Sequence, residues 1–344
     1  MIGVYAHHHG SGHIHRALAV AAVLEDEVTI LTSATVPDGA NPDPQRVRIL
    51  TLPVDHDGTG GAAAETPAVD PTAGGHLHWV PLRHAGLRQR MAMISEWIGR
   101  HQPAVMWTDI SVEVTLAARL TGTPVVSSVL PGCRTDAPHT LAHGICSDLV
   151  AGWPRSGGAP VPAGASRPLV PVGGVSRFER RQPPSRGAPR ARPRVVHLRG
   201  SGGARRDTRW DAVREQLPGV DWLDLGGPGG RWVADPWEEI CRADVVISSA
   251  GQSSVADLAA ADAHVVAAPE DRPFGEQDAT AAHLRTLGVA VVDREDTVDH
   301  LVCAVRRTLE QARSTPATGS GLREAWEVDG AAERLAGVLR GVAS

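Results

Sequence analysis

Two doubly wound α/β domains facing each other across a cleft are the fold this sequence predicts. Three observations predict it. Short apolar runs of strand length recur along the chain and alternate with helix-length segments. Turns of small residues follow three of those runs, at Gly10-Ser11-Gly12, Gly200-Ser201-Gly202-Gly203 and Ser248-Ser249-Ala250-Gly251. The length, 344 residues, suits two domains of ordinary size.

Ile2 to Ala6 reads as the first strand. The loop His7-His8-His9-Gly10-Ser11-Gly12 follows, then a helix from His13 to about Leu24 with Ile14, Ala17, Leu18 and Ala21 on its apolar face. This turn suits a phosphate, because a helix N-terminus presents unpaired N–H groups. It is neither G-x-G-x-x-G nor a G-K-(S/T) loop, so a nicotinamide cofactor is not expected. Three adjacent histidines do not easily converge on one ion and no carboxylate lies beside them, so no metal is expected either. Val28 to Thr32 and Val47 to Leu52 are the next strands, and 55–75 reads as a mobile loop. A helix is expected from Val80 to about Gly99, burying Leu82, Leu87, Met91, Ile94 and Ile98. Ala104 to Trp107 is a strand ending at Thr108-Asp109, followed by helix Ser111 to Leu120 and strand Val125 to Ser128. Asp109 stands where a strand meets a helix, a place that fits either a ligand contact or a helix cap. Leu169 to Val172 reads as the last strand of the first domain. Residues 178–193 read as a Pro- and Arg-rich linker.

The second domain opens on strand Arg194 to Leu198, and Trp222 to Leu225 is its next strand. Asp235-Pro236-Trp237-Glu238 is a helix start. The most informative stretch is 244–281. Val245 to Ile247 is a buried strand, Ser253 and Ser254 are placed to cap a helix to about Ala261, and His264 to Pro269 is the following strand. Glu276-Gln277 then opens another helix. In a parallel sheet both loops lie on the edge where ligands bind. Asp257, one turn into its helix, is placed to take ribose hydroxyls.

This stretch resembles the donor-binding half of GT-B glycosyltransferases, most closely the peptidoglycan N-acetylglucosaminyltransferase group of the family 28 type. That group carries S-x-A-G-x-x-(S/T)-x-x-(E/D) and then P-x(6)-(Q/E)-Q. Here the matching residues are Ser248, Ala250, Gly251, Ser254 and Asp257, then Pro269, Glu276 and Gln277. Gly10-Ser11-Gly12-His13, Gly173-Gly174 with Arg177, Gly200 to Gly203, Val233 and Asp329-Gly330-Ala331 extend the likeness. The resemblance implies two Rossmann-like domains: an acceptor domain (1–177), a linker (178–193), a nucleotide-sugar domain (194–325) and a C-terminal helix (326–344) returning to the first. It implies a metal-independent, inverting transfer from a UDP-sugar, with UDP-GlcNAc as one candidate, to a hydroxyl acceptor. His13 is the candidate base and Asp109 a second catalytic candidate. Gly10, Ser11, Gly12, Arg199, Ser201, Gly202, Val233, Ala250, Gly251, Gln252, Ser253, Ser254, Asp257, Glu276 and Gln277 are the expected donor contacts. The chain departs from the group at Asp109-Ile110-Ser111 and Ser127 to Leu130, which face the acceptor, and at Glu276, where the group has glutamine.

The formal net charge of -5 gives no sign of nucleic-acid binding. Cys133, Cys146, Cys241 and Cys303 are scattered, without a zinc spacing, and read as free thiols of a reducing cytoplasm. No apolar run reaches membrane-span length, and the N-terminus carries no signal-peptide pattern. A peripheral membrane contact and the oligomeric state stay open. So do three other activities: G-x-G-H-x-x-R (Gly10 to Arg16) also resembles UDP-sugar hydrolases of nonulosonic acid synthesis, and the fold also suits an epimerase or a silent donor-binding subunit.

Overall fold

A computed structural model describes residues 1–55, 68–184, 190–200, 207–227, 229–314 and 319–344. Among these, two all-parallel sheets are formed. The first contains β1 (Ile2–Ala6), β2 (Val28–Thr32), β3 (Val47–Thr51), β4 (Val105–Asp109), β5 (Val125–Val129), β6 (Asp148–Ala151) and β7 (Val170–Pro171), in the order β3-β2-β1-β4-β5-β6-β7. The second contains β8 (Arg194–Leu198), β9 (Asp221–Leu225), β10 (Val245–Ser248), β11 (Val265–Ala267) and β12 (Ala290–Val291), in the order β12-β11-β10-β8-β9. The helices are α1 (Gly12–Ala21), α2 (Ala85–His101), α3 (Val112–Leu120), α4 (Ala137–Ile145), α5 (Arg209–Gln216), α6 (Trp237–Arg242), α7 (Gln252–Ala260), α8 (Glu276–Thr286), α9 (Val298–Ser314), α10 (Leu322–Ala325) and α11 (Ala331–Ala343). Each sheet order reverses once, between β1 and β4 and between β8 and β10. Ligands of open α/β sheets bind at such reversals, beyond the carboxyl ends of the strands.

The helix expected from Val80 starts later, at Ala85. Pro81 and the left-handed Arg83 (φ 63°) keep the preceding residues extended, and His84 accepts from the Leu87 N–H as the N-cap. Leu82 is therefore outside the helix and exposed, whereas Arg90 is buried. Part of the expected mobile loop, 56–67, lies outside the described residues.

The chain crosses between the two cores twice. Phe178, expected to open a linker, is buried in the second core against Trp237, with ring centroids 5.0 Å apart. Trp326 and Val328 also belong to the second core, and the return to the first begins at Ala331. Gly330 makes that turn at φ +75°. The Glu179 carboxylate accepts from Gly330 N at 2.7 Å and Ala332 N at 3.3 Å, so one side chain fastens both crossings. Along α11, Ala331, Ala332, Leu335, Ala336 and Leu339 are buried in the first core beside α1. Leu335→Ala is expected to cost about 2–5 kcal/mol, read as a lower urea midpoint at constant slope. An unchanged midpoint would remove α11 from that core.

Candidate functional site

β1 and β4 are neighbours with Ala6 opposite Asp109, so the loop into α1 and the end of β4 meet at the first sheet's reversal. There His13 Nδ1 lies 2.9 Å from Asp109 Oδ2. Arg16, one turn further along α1, places Nε 3.5 Å from the same oxygen. Asp109 is wholly buried. Burial pushes its carboxyl up, but Arg16 and His13 outweigh burial and hold it below the usual carboxylate range. The two catalytic candidates are thus a pair rather than alternatives. Asp109 is not among the residues that line the cleft, and it does not cap α3. Ser111 is the cap of α3, accepting from Val114 N at 3.2 Å. With its Nδ1 engaged by the carboxylate, His13 keeps Nε2 for the cleft that it lines.

The second sheet contributes the opposite wall. Gly251 is the N-cap of α7 and no side chain caps the helix. Ser253 and Ser254 lie inside the first turn rather than before it, so the N–H groups there are not taken by a capping hydroxyl. Arg16 Nη1 donates to Gln252 Oε1 at 2.6 Å and Nη2 to Ser253 Oγ at 3.3 Å. A Cβ on Gly12 would stand 2.4 Å from Ser253 Oγ, so the close approach of α1 and α7 requires glycine. Asp257 accepts from Ser176 Oγ at 2.7 Å and Arg177 Nε at 3.0 Å, and burial holds its carboxyl above the usual range despite both. Arg177 also donates to His15 Nε2 at 3.0 Å.

A cleft of ≈ 720 Å³ collects most of the expected contacts: Gly10, Ser11, Gly12, His13, Arg199, Val233, Gly251, Gln252, Ser253, Ser254, Asp257, Glu276 and Gln277. Arg199 stands 3.8 Å from Asp224, and Gln277 accepts from Glu270 N at 2.7 Å. Ala250 does not line the cleft. It lies in the turn between β10 and α7, with its methyl fully buried in the second core. Ser201 and Gly202 lie outside the described residues.

A second cavity of ≈ 400 Å³ opens within the first half. Leu87, Met91, Ile110, Val112, Val114 and Leu130 give it apolar walls, and it shares His8, His9, Ile110 and Leu130 with the cleft. His7, His8 and His9 bring their ligand atoms within 4.8 Å, closer than adjacency suggested, and Asp55 lies 3.4 Å from His8. The expected absence of a neighbouring carboxylate is thereby corrected, because β3 returns the chain to this loop. The His7 ring nonetheless stacks nearly parallel on both neighbours, at 13° and 20°, so their in-plane lone pairs run side by side. Arg90, 3.4 Å from His8, adds a like charge to any cation there.

The sequence reading missed α4 and the cluster it carries. Asp136 accepts from His139 Nδ1 at 2.6 Å and lies 3.3 Å from His78 Nε2. The signal was present: Asp136 precedes Pro138 and caps His139 N at 3.1 Å. Phe274, from the second half, closes this wall, with Arg134 4.9 Å from its ring centre and Cys133 N donating to its carbonyl at 2.9 Å.

Residues 235–329 match the Glycosyltransferase family 28 C-terminal domain. No curated protein sequence matches the chain. Among solved structures, MurG of Acinetobacter baumannii is similar over 99% of this chain and 100% of its own, at TM-score 0.63 and 16% identity. UGT89C1 of Arabidopsis thaliana is similar over 100% and 99%, at TM-score 0.68 and 14% identity. The spinosyn forosaminyltransferase SpnP is similar over 99% and 98%, at TM-score 0.67 and 13% identity.

The chain has the GT-B fold. The family match spans α7 and α8, which contribute Gln252, Ser253, Ser254, Asp257, Glu276 and Gln277 to the second wall of the cleft.

Burial and then Arg177 push His15 down from 6.5 to about 4. Only the neutral ring accepts the Arg177 bond. Unfolded, His15 takes its proton near 6.5, whereas folded it waits until about 4, so its contribution is present above 6.5 and lost through that window. The melting temperature is expected to fall between pH 6.5 and 4, less steeply in His15→Gln. Equal slopes in the two proteins would contradict it.

Proposed function

We infer that the protein is a glycosyltransferase that moves a sugar from a nucleoside-diphosphate donor, a UDP-sugar by preference, to a hydroxyl of a small, largely apolar acceptor. One observation carries the reading: the first-half cavity opens through His8, His9, Ile110 and Leu130 into the cleft that is lined by His13, a member of a His–Asp pair. On this reading residues 1–177 with the C-terminal helix form the acceptor half, and 194–325 the donor half.

The diphosphate sits at the first turn of α7, where N–H groups and the helix dipole favour anions. Arg199 and Arg272 line the same cleft and supply positive charge to the leaving diphosphate, which makes a metal unnecessary for that task. The acceptor lies in the ≈ 400 Å³ cavity with its hydroxyl toward His13. Nε2 removes the hydroxyl proton as the acceptor oxygen attacks the sugar's anomeric carbon. The carbon–oxygen bond to the diphosphate breaks, and the nucleoside diphosphate leaves with the electron pair. A single displacement inverts the anomeric centre. Asp109 holds the ring and stabilises the imidazolium that forms. Asp257 remains the candidate for the ribose hydroxyls.

One structural neighbour supports the substrate classes: UGT89C1 is known complexed with UDP-L-rhamnose and with quercetin. A hydrolase needs room only for water, so a cavity of ≈ 400 Å³ opening into the cleft favours transfer. Product analysis with UDP-sugars, with and without a panel of apolar alcohols and phenols, tests this. Acceptor-dependent release of UDP with a glycosylated product is expected, and free sugar at the same rate without acceptor would make the protein a hydrolase. His13→Ala is expected to lower turnover by about 10²–10⁴-fold while UDP affinity, by calorimetry, changes little. Retained turnover in a less stable variant would make His13 structural.

A further inference from the structure

We propose that Arg16 is a positioning residue that makes the His13–Asp109 pair respond to what is bound at the first turn of α7. The proposal rests on the transferase reading of the same cleft. A guanidinium is planar and rigid, so its three nitrogens move as one body. Two of them hold the second half, through Gln252 Oε1 at 2.6 Å and Ser253 Oγ at 3.3 Å. The third stands 3.5 Å from Asp109 Oδ2, the oxygen that also meets His13 Nδ1. A shift of Gln252 or Ser253 therefore turns Nε relative to Asp109, and Asp109 sets the orientation of the His13 ring.

The surroundings leave little slack for that motion to be absorbed. Arg16 is 6% exposed and Gln252 5%. Helices α1 and α7 touch at Gly12 and Ser253, where even one added carbon would collide. The network also differs from a plain structural clamp. Arg16 Nε and Gln252 Nε2 are buried without a hydrogen-bond partner among the described residues. Buried polar groups are nearly always paired, so the guanidinium is held by where its partners stand rather than by a closed set of bonds. Seating a diphosphate on α7 fixes the first turn, fixes Arg16 through it, and so sets the His13 ring for the acceptor proton. A base aligned only when the donor is present ties proton removal to a donor in place.

The test uses full-length protein carrying ¹⁵N-histidine, titrated with UDP, with the His13 ring signals assigned by comparison with His13→Gln. In the wild-type protein those signals move as UDP binds. In Arg16→Met UDP still binds, the His13 response is lost, and kcat falls roughly tenfold to a hundredfold with a smaller change in donor KM. Arg16→Lys restores thermal stability but not the response, because an ammonium does not hold three partners in one plane. If Arg16→Met fails to fold, Gln252→Leu carries the same comparison, since it removes the shorter of the two α7-side bonds and leaves Arg16 beside Asp109. An unchanged His13 response in Arg16→Met or Gln252→Leu overturns the proposal, as does full recovery of kcat in Arg16→Lys. A wild-type protein that binds none of UDP, TDP, GDP, ADP and CDP overturns the transferase reading itself, and the relay with it.

Discussion

A carboxylate without any exposure to water is the constraint around which this molecule is arranged. Asp109 ends an interior strand, and α1 brings His13 and Arg16 to the same oxygen to sustain its charge. Removing one partner from such a group costs far more than an exposed pair would, because the remaining charge is left unmatched in a low dielectric. Satisfying Asp109 therefore fixes α1 against β4. It also fixes α1 against α7, since Arg16 reaches both. The two halves of the GT-B fold are joined at the point where the chemistry is proposed.

That arrangement follows from strand order. A sheet that grows from β1 in both directions leaves a gap between the helices on either side of the reversal. In the first sheet the gap receives His13 and Asp109, and in the second it lies beside Gly251 and the first turn of α7. The reversal points face the same cleft, so His13 on one half and the first turn of α7 on the other line one space. The apolar cavity behind His8 and His9 extends the cleft on the first half's side.

Local patterns made much of this legible in the sequence. Apolar runs and small-residue turns located β1, α1, β10 and α7, because a strand–turn–helix unit is written in consecutive residues. Pairings across the chain were not legible. His13 and Asp109 are 96 positions apart and meet only because β4 lies beside β1. Arg16 and Gln252 are 236 apart and meet only because the two reversal points share a cleft. Periodicity also misled where a backbone feature overrode it: Leu82 fits a helical stripe, but Pro81 and the left-handed Arg83 delay the helix past it. For α4 both the Asp136 cap and Pro138 at the helix start were written in consecutive residues.

The central claim is that a nucleoside diphosphate is held on α7 facing His13. A crystal structure of the protein with UDP tests it most directly. The account predicts the diphosphate within hydrogen-bond distance of the N–H groups of the α7 first turn, its outer phosphate toward His13 Nε2, and the Arg16 bridge between Gln252, Ser253 and Asp109 intact. A nucleotide bound outside the cleft, or seated with its diphosphate turned away from α7 and His13, would contradict it.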